Sequence, residues 1–181
     1  MNVFVLCTGR CGSYTFHKAC THIANFTTGH ELLARKLGKE RFAYPDNHIE
    51  VDNRLSWMLG RLDQKFGNRA FYVHLTREPD SVIRSYEKRT DGVIKAYRAG
   101  IMQGAEGERK LLIAQDMVLT MDKNIKHFLK YGNKVFMTFD IENYQQKFAT
   151  FWELIGAEGD YESAKNEFRN FHNSTLPREM V

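Results

Sequence analysis

Short unbroken apolar runs alternate along the chain with longer stretches in which apolar residues return at helical spacing. The runs are Val3-Phe4-Val5-Leu6-Cys7, Phe71-Tyr72-Val73-His74-Leu75 and Val135-Phe136-Met137-Thr138-Phe139, each predicting a buried strand. Residues 25–28 predict a further short strand that closes at Gly29. Phe16, Ala19, Cys20, Ile23 and Ala24 predict a helix of about three turns. Leu55, Met58, Leu59, Leu62 and Phe66 form the apolar face of the next helix, which Asp52 or Asn53 caps and Gly67-Asn68 ends. Pro79 suits the first turn of another helix, and the Gly-punctuated segment 92–107 predicts a short one. Leu111, Ala114, Val118, Met121, Ile125 and Phe128 hold one face over about five turns. Helices near 141–155 and 160–171 complete the pattern. Residues 34–50 are polar and irregular, with a turn at Pro45-Asp46-Asn47.

Continuous apolar strands separated by helices predict a three-layer α/β/α fold around a central, mainly parallel sheet. With no repeat, low-complexity tract or linker in view, residues 1–181 read as a single domain. Ligands of such folds bind at the carboxyl ends of the strands, where the loops around Arg10 and around residues 76–79 fall.

Composition narrows this. With 43% hydrophobic and 27% charged residues, the chain reads as neither disordered nor membrane-embedded. No apolar run approaches the length of a spanning helix, and the opening strand follows no basic region or cleavage site, so a cytoplasmic protein is expected. A net charge of +4 suits an anionic ligand but is too small and scattered to indicate nucleic acid. Cys7, Cys11 and Cys20 are clustered rather than spread as in a disulfide scaffold. Even with His17 and His22 nearby their spacing matches no zinc pattern, so they read as core or loop thiols.

The chemistry concentrates in Gly9-Arg10-Cys11-Gly12-Ser13, between the first strand and the first helix. A strand-to-helix turn of this kind aims backbone N–H groups and a helix dipole at one spot, which suits phosphate or sulfate. It is too short for a Walker A loop and lacks the Lys; it has only two of the three glycines of a dinucleotide fingerprint. Cys7 lies too close to Arg10 for a phosphatase loop.

Arg10-Cys11-Gly12-Ser13-Tyr14-Thr15 resembles the phosphosulfate-binding loop of sulfotransferases that use 3′-phosphoadenosine 5′-phosphosulfate (PAPS). Cys11 stands where that family has Ser, and Tyr14 takes the second hydroxylic position, with Thr15 one place on. Arg77-Glu78-Pro79-Asp80-Ser81-Val82-Ile83-Arg84-Ser85 resembles the family's 3′-phosphate site, an Arg at a strand end with a Ser eight residues later. Pro79 also falls where the family has it. Residues 136–142 and the helix ending Trp152-Glu153-Leu154-Ile155-Gly156 are similar to its late strand, acidic turn and helix stop, so the resemblance spans most of the chain.

The resemblance implies a P-loop NTPase-like sulfotransferase fold, PAPS as co-substrate, no metal, and in-line transfer of a sulfuryl group to a hydroxyl or amine of a small polar acceptor, carbohydrates included. It implies that Arg10 stabilises charge, that the backbone of Cys11, Gly12, Ser13, Tyr14 and Thr15 cradles the 5′-phosphate, and that Arg77 and Ser85 hold the 3′-phosphate. Glu31 corresponds to the base of bacterial carbohydrate-type members, with His30 as the other candidate. Residues 34–52, with the polar cluster His48, Glu50 and Asp52, and residues 91–107 are expected to wall the acceptor site, which either takes a small molecule or is completed by a second subunit of a homo-oligomer. Residues 171–174 either close over the nucleotide or fray. His74, Trp57 and Trp152 read as core. Two other functions stay open: a nucleotide-binding protein without turnover, given Cys11 and Tyr14, and a small P-loop kinase, which would need Mg²⁺ and ATP.

Overall fold

A computed structural model describes residues 1–104 and 109–170. Its strands are β1 (Asn2–Leu6), β2 (Thr27–His30), β3 (His48–Val51), β4 (Ala70–Thr76) and β5 (Phe136–Asp140). Its helices are α1 (Ser13–Cys20), α2 (Leu59–Phe66), α3 (Pro79–Glu87), α4 (Val93–Ala96), α5 (Lys110–Tyr131), α6 (Tyr144–Leu154) and α7 (Tyr161–Asn166). All strand pairs are parallel, in the order β2-β3-β1-β4-β5.

The first strand occupies the middle. Every residue of β1 is buried because both of its faces are covered, which is why it reads as a continuous apolar run. Val3 and Val5 join a cluster with Phe16 of α1 and Phe148 and Phe151 of α6. Phe4 and Leu6 join one with Leu62 of α2 and Ile125 and Phe128 of α5. Helices therefore pack on both sides of the sheet. From β1 the chain runs out to β2 and β3 on one side, then returns to build β4 and β5 on the other. The carboxyl ends of β1 and β4 thus flank the reversal point where such sheets form their ligand crevice. No helix among the described residues is long and apolar enough to cross a membrane.

Four local expectations are corrected. The first helix ends at Cys20, a turn early, because Ile23 leaves it to bridge Gly159 and Ala24 donates to the Glu158 carbonyl. The second strand runs through Gly29 to His30 rather than closing at Gly29. A strand, β3, lies where an irregular segment was expected. The last strand is not buried on both faces: Met137 and Phe139 are buried, whereas Phe136 and Thr138 are exposed, as befits an edge.

Candidate anion-binding site

The loop between β1 and α1 is built from left-handed backbone. Gly9, Arg10 and Gly12 have φ of 80°, 59° and 84°. Arg10 is the informative one, since this conformation costs a residue with a side chain and is found where surroundings enforce it. Two hydroxyls do the enforcing: Tyr86 donates to the Thr8 carbonyl at 2.7 Å and Ser56 to the Cys7 carbonyl at 3.1 Å. Gly9 must be glycine because a Cβ there would collide with the Tyr86 hydroxyl. The first helical bond runs from Phe16 N–H to the Gly12 carbonyl at 2.9 Å, so the amides before Phe16 have no partner within α1 and lie at its positive end.

The two sequence-distant segments meet here. Arg10 Nε donates to Ser85 Oγ at 2.9 Å, and Arg77 Nη1 donates to the Arg10 carbonyl at 3.4 Å. Pro79 opens α3 at its first turn, as expected, and Glu78 caps it by accepting from the amides of Asp80 and Ser81 at 3.0 and 2.7 Å. Arg77 also lies 3.9 Å from Glu142. Arg84 is exposed. The cation that sequence reasoning missed is Arg89, one turn beyond Ser85. Burial lowers the Arg10 pKa, and the positive charges of Arg89 and then Arg77 lower it further. Guanidinium groups converging on one another in this way raise the local positive potential that draws an anion in. A cleft of about 830 Å³ opens beside Arg77, with Thr8, Thr76, Val82, Val118 and Phe136 in its walls.

Of the remaining loop residues, Cys11 and Thr15 are buried, Gly12 and Ser13 half-buried, and Tyr14 exposed. The hydrogen bond between the Cys11 and Cys7 thiols, reinforced by burial, pushes the Cys7 pKa well above the usual thiol value. The Ser13 hydroxyl lies 3.3 Å from His30 Nε2. His30 also shares a small aromatic group with Tyr14 and His17, at centroid distances of 5.4 and 5.8 Å. Burial, with help from neighbouring His30, lowers the His17 pKa to about 4, and its Nδ1 faces Thr28 Oγ1 at 3.2 Å. Glu31, in left-handed backbone with φ of 56°, forms an ion pair with Arg54. Of the two candidate bases, His30 therefore meets the loop and Glu31 is engaged elsewhere.

The segment expected to wall the acceptor site is divided between core and surface. Arg41, Phe42, Tyr44, His48, Glu50 and Asp52 are buried, whereas residues 35–40 are exposed. Ile94 and Tyr97 are buried within the 91–107 stretch, of which residues 105–107 lie outside the described residues, as do residues 171–174.

His74 is a core residue, as its strand suggests. It is 3% exposed, 3.5 Å from Asp122, and burial lowers its pKa to about 4 from an ordinary 6.5. The native state keeps it neutral while the unfolded chain protonates it at about pH 6.5, so its contribution is present above that pH and lost as the pH falls towards 4. The shift corresponds to about 3 kcal/mol. Urea unfolding at several pH values should therefore give a steeper acid loss for the wild type than for His74→Gln; equal slopes would refute this assignment.

Comparison with protein-family models, with curated proteins and with solved structures finds no match for this chain.

Proposed function

We propose that the chain is a PAPS-dependent sulfotransferase with a P-loop-type fold. The observation that carries this reading is the contact of Arg10 with Ser85 and Arg77, two segments that resemble the family's phosphate sites separately and stand together in space. In this reading the amides of the Arg10 loop receive the 5′-phosphate, and Arg77 with Ser85 receives the 3′-phosphate, the guanidinium supplying a planar two-point grip. In the same reading, part of the nucleotide lies in the cleft beside Arg77.

The reaction follows the logic of phosphoryl transfer, in which positioning and charge stabilisation do most of the work. The acceptor oxygen forms its bond to sulfur as the bond from sulfur to the phosphate oxygen breaks. Negative charge builds on that departing oxygen, where Arg10 and the helix terminus are suited to meet it. The acceptor proton passes to a base, and His30 is the better candidate because its Nε2 lies 3.3 Å from the loop hydroxyl of Ser13. The acceptor is taken to be a small polar molecule.

Calorimetric titration with the desulfated product, 3′-phosphoadenosine 5′-phosphate (PAP), tests the reading. Micromolar binding of PAP, unmatched by ATP, is expected. Arg77→Ala should weaken it by about 10- to 100-fold, the worth of hydrogen bonds to a charged group. A chain that binds neither nucleotide, or binds PAP equally well without Arg77, is not a PAPS enzyme. Tight PAP binding with no release of sulfate from PAPS would instead identify a nucleotide-binding protein without turnover.

A further inference from the structure

A parallel strand between two neighbours is ordinarily apolar on both faces. The strand β3, between β2 and β1, is not. Ile49 and Val51 enter the core shared with α1, but the opposite face carries His48 and Glu50, followed by Asp52. His48 is 1% exposed and Glu50 is fully buried. Burying a carboxylate is costly unless its oxygens are bonded, and apolar residues of similar volume are often no less stable.

Both oxygens of Glu50 are engaged. Oε2 faces His48 Nε2 at 3.0 Å, and the other ring nitrogen of His48 meets Thr27 Oγ1 at 2.8 Å. Oε1 accepts from the Leu32 amide at 2.9 Å. That last bond lies where the β2–β3 ladder runs out. Glu31 N–H still reaches the Val51 carbonyl at 3.1 Å, and then Glu31 turns the chain away in left-handed backbone. A side-chain oxygen of β3 holds the next amide instead. The space for that carboxylate is made by Gly29, where a Cβ would lie 2.5 Å from Glu50 Oε2. Thr27 and Gly29 thus face the buried carboxylate, while Thr28 and His30 face α1 and the Arg10 loop.

We propose that Glu50 is a positioning residue for the transfer reaction, clamping the turn after β2 so that His30 stays against Ser13. The catalytic meaning of the clamp rests on the sulfotransferase reading; its geometry does not. Gly29 belongs to the same device, since it alone leaves room for the carboxylate.

Amide hydrogen exchange and the slow release of sulfate from PAPS to water test this together. Glu50→Ala should speed Leu32 exchange by about tenfold or more while β1 amides keep their protection. It should also lower the kcat of sulfate release by about tenfold with KM for PAPS unchanged. Glu50→Gln, which keeps an oxygen for Leu32 and offers His48 a donor, should restore both. Unchanged Leu32 exchange in Glu50→Ala, or equal damage in both Glu50 variants, would overturn the clamp. If Glu50→Ala does not fold, Gly29→Ala must show the same local acceleration at Leu32, and its absence overturns the proposal equally. A wild-type chain that binds no PAP refutes the sulfotransferase reading, and Leu32 exchange still decides the clamp without nucleotide.

Discussion

Arg10→Ala is expected to lower the rate of sulfate release from PAPS by about 10²-fold or more, the usual consequence of removing a preorganised donor from a site of developing charge. The expectation follows from how the side chain is held. Its backbone is left-handed, its carbonyl accepts from Arg77, and its Nε is fixed by Ser85 at 2.9 Å. The bond at Nε fixes the plane of the guanidinium. Arg10→Lys keeps the charge but not the planar fork, so it should recover only part of the loss. PAP affinity should fall less than the rate, because Arg10 is assigned to charge that appears as the sulfur–oxygen bond breaks. Single-turnover measurement with radiolabelled PAPS separates the two. A rate within a few-fold of wild type for Arg10→Ala would remove this residue from the chemistry.

The largest stability effect is expected from Arg41→Ala. Arg41 and Asp52 are 1% and 0% exposed, joined by an ion pair of 2.5 Å, and Arg41 Nη1 also donates to Tyr44 Oη at 2.8 Å. Burial, with a smaller push from Glu50, raises the Asp52 pKa, and Arg41 is the chief group pulling it back. Truncating the arginine strands a buried carboxylate that retains the Arg54 amide at 2.8 Å. Loss of one partner of such a pair costs about 3–5 kcal/mol, which for a chain of this size lowers the melting temperature by about 10 °C. The pH dependence identifies the cause. A carboxyl whose native pKa is raised binds its proton more tightly folded than unfolded, so the variant's deficit should be greatest near neutrality and shrink as the pH falls through that raised pKa. A deficit of constant size across pH would trace the effect to lost packing volume instead. Asp52→Asn in the Arg41→Ala background should recover part of the stability.

Much of this architecture is legible in the sequence, for reasons visible in particular residues. The run Val3-Phe4-Val5-Leu6 announces a strand covered on both faces, and that is where β1 sits. Pro79 and Glu78 mark the start of α3 by chemistry local to four residues. The Arg10 loop and the Arg77–Ser85 segment are two such local signals, and the bond between Arg10 and Ser85 appears only when parallel strands bring them side by side. What stayed hidden depends on contacts distant in sequence. His48-Ile49-Glu50-Val51 looks like a half-exposed surface segment because two of its four residues are ionisable. Only the arrival of Thr27 and Gly29 from β2 makes their burial tolerable. Arg89 and His17 escaped for the same reason: nothing near them in sequence tells which side chains they approach. The sequence also named Glu31 ahead of His30 as the base, a ranking by position alone, whereas Arg54 and Ser13 engage them differently in space.

The position of β1 has a consequence for how the protein comes into being. Of the five strands, the one synthesised before the others lies in the middle of the sheet: Val3 pairs with Ile49 on one side and Phe71 on the other. Its apolar run must therefore wait unpaired until β3 is synthesised, and with one side open until β4 is. Closing such long loops before any ladder forms makes folding slow relative to a protein with local contacts. During that interval an exposed Val-Phe-Val-Leu segment is a natural client for a chaperone that binds extended apolar chain. The loop that follows it acquires its shape only at the end, when Tyr86 reaches back to the Thr8 carbonyl. A nascent chain arrested before α3 emerges would hold the Arg10 loop in sequence but lack the hydroxyl that ties down its backbone.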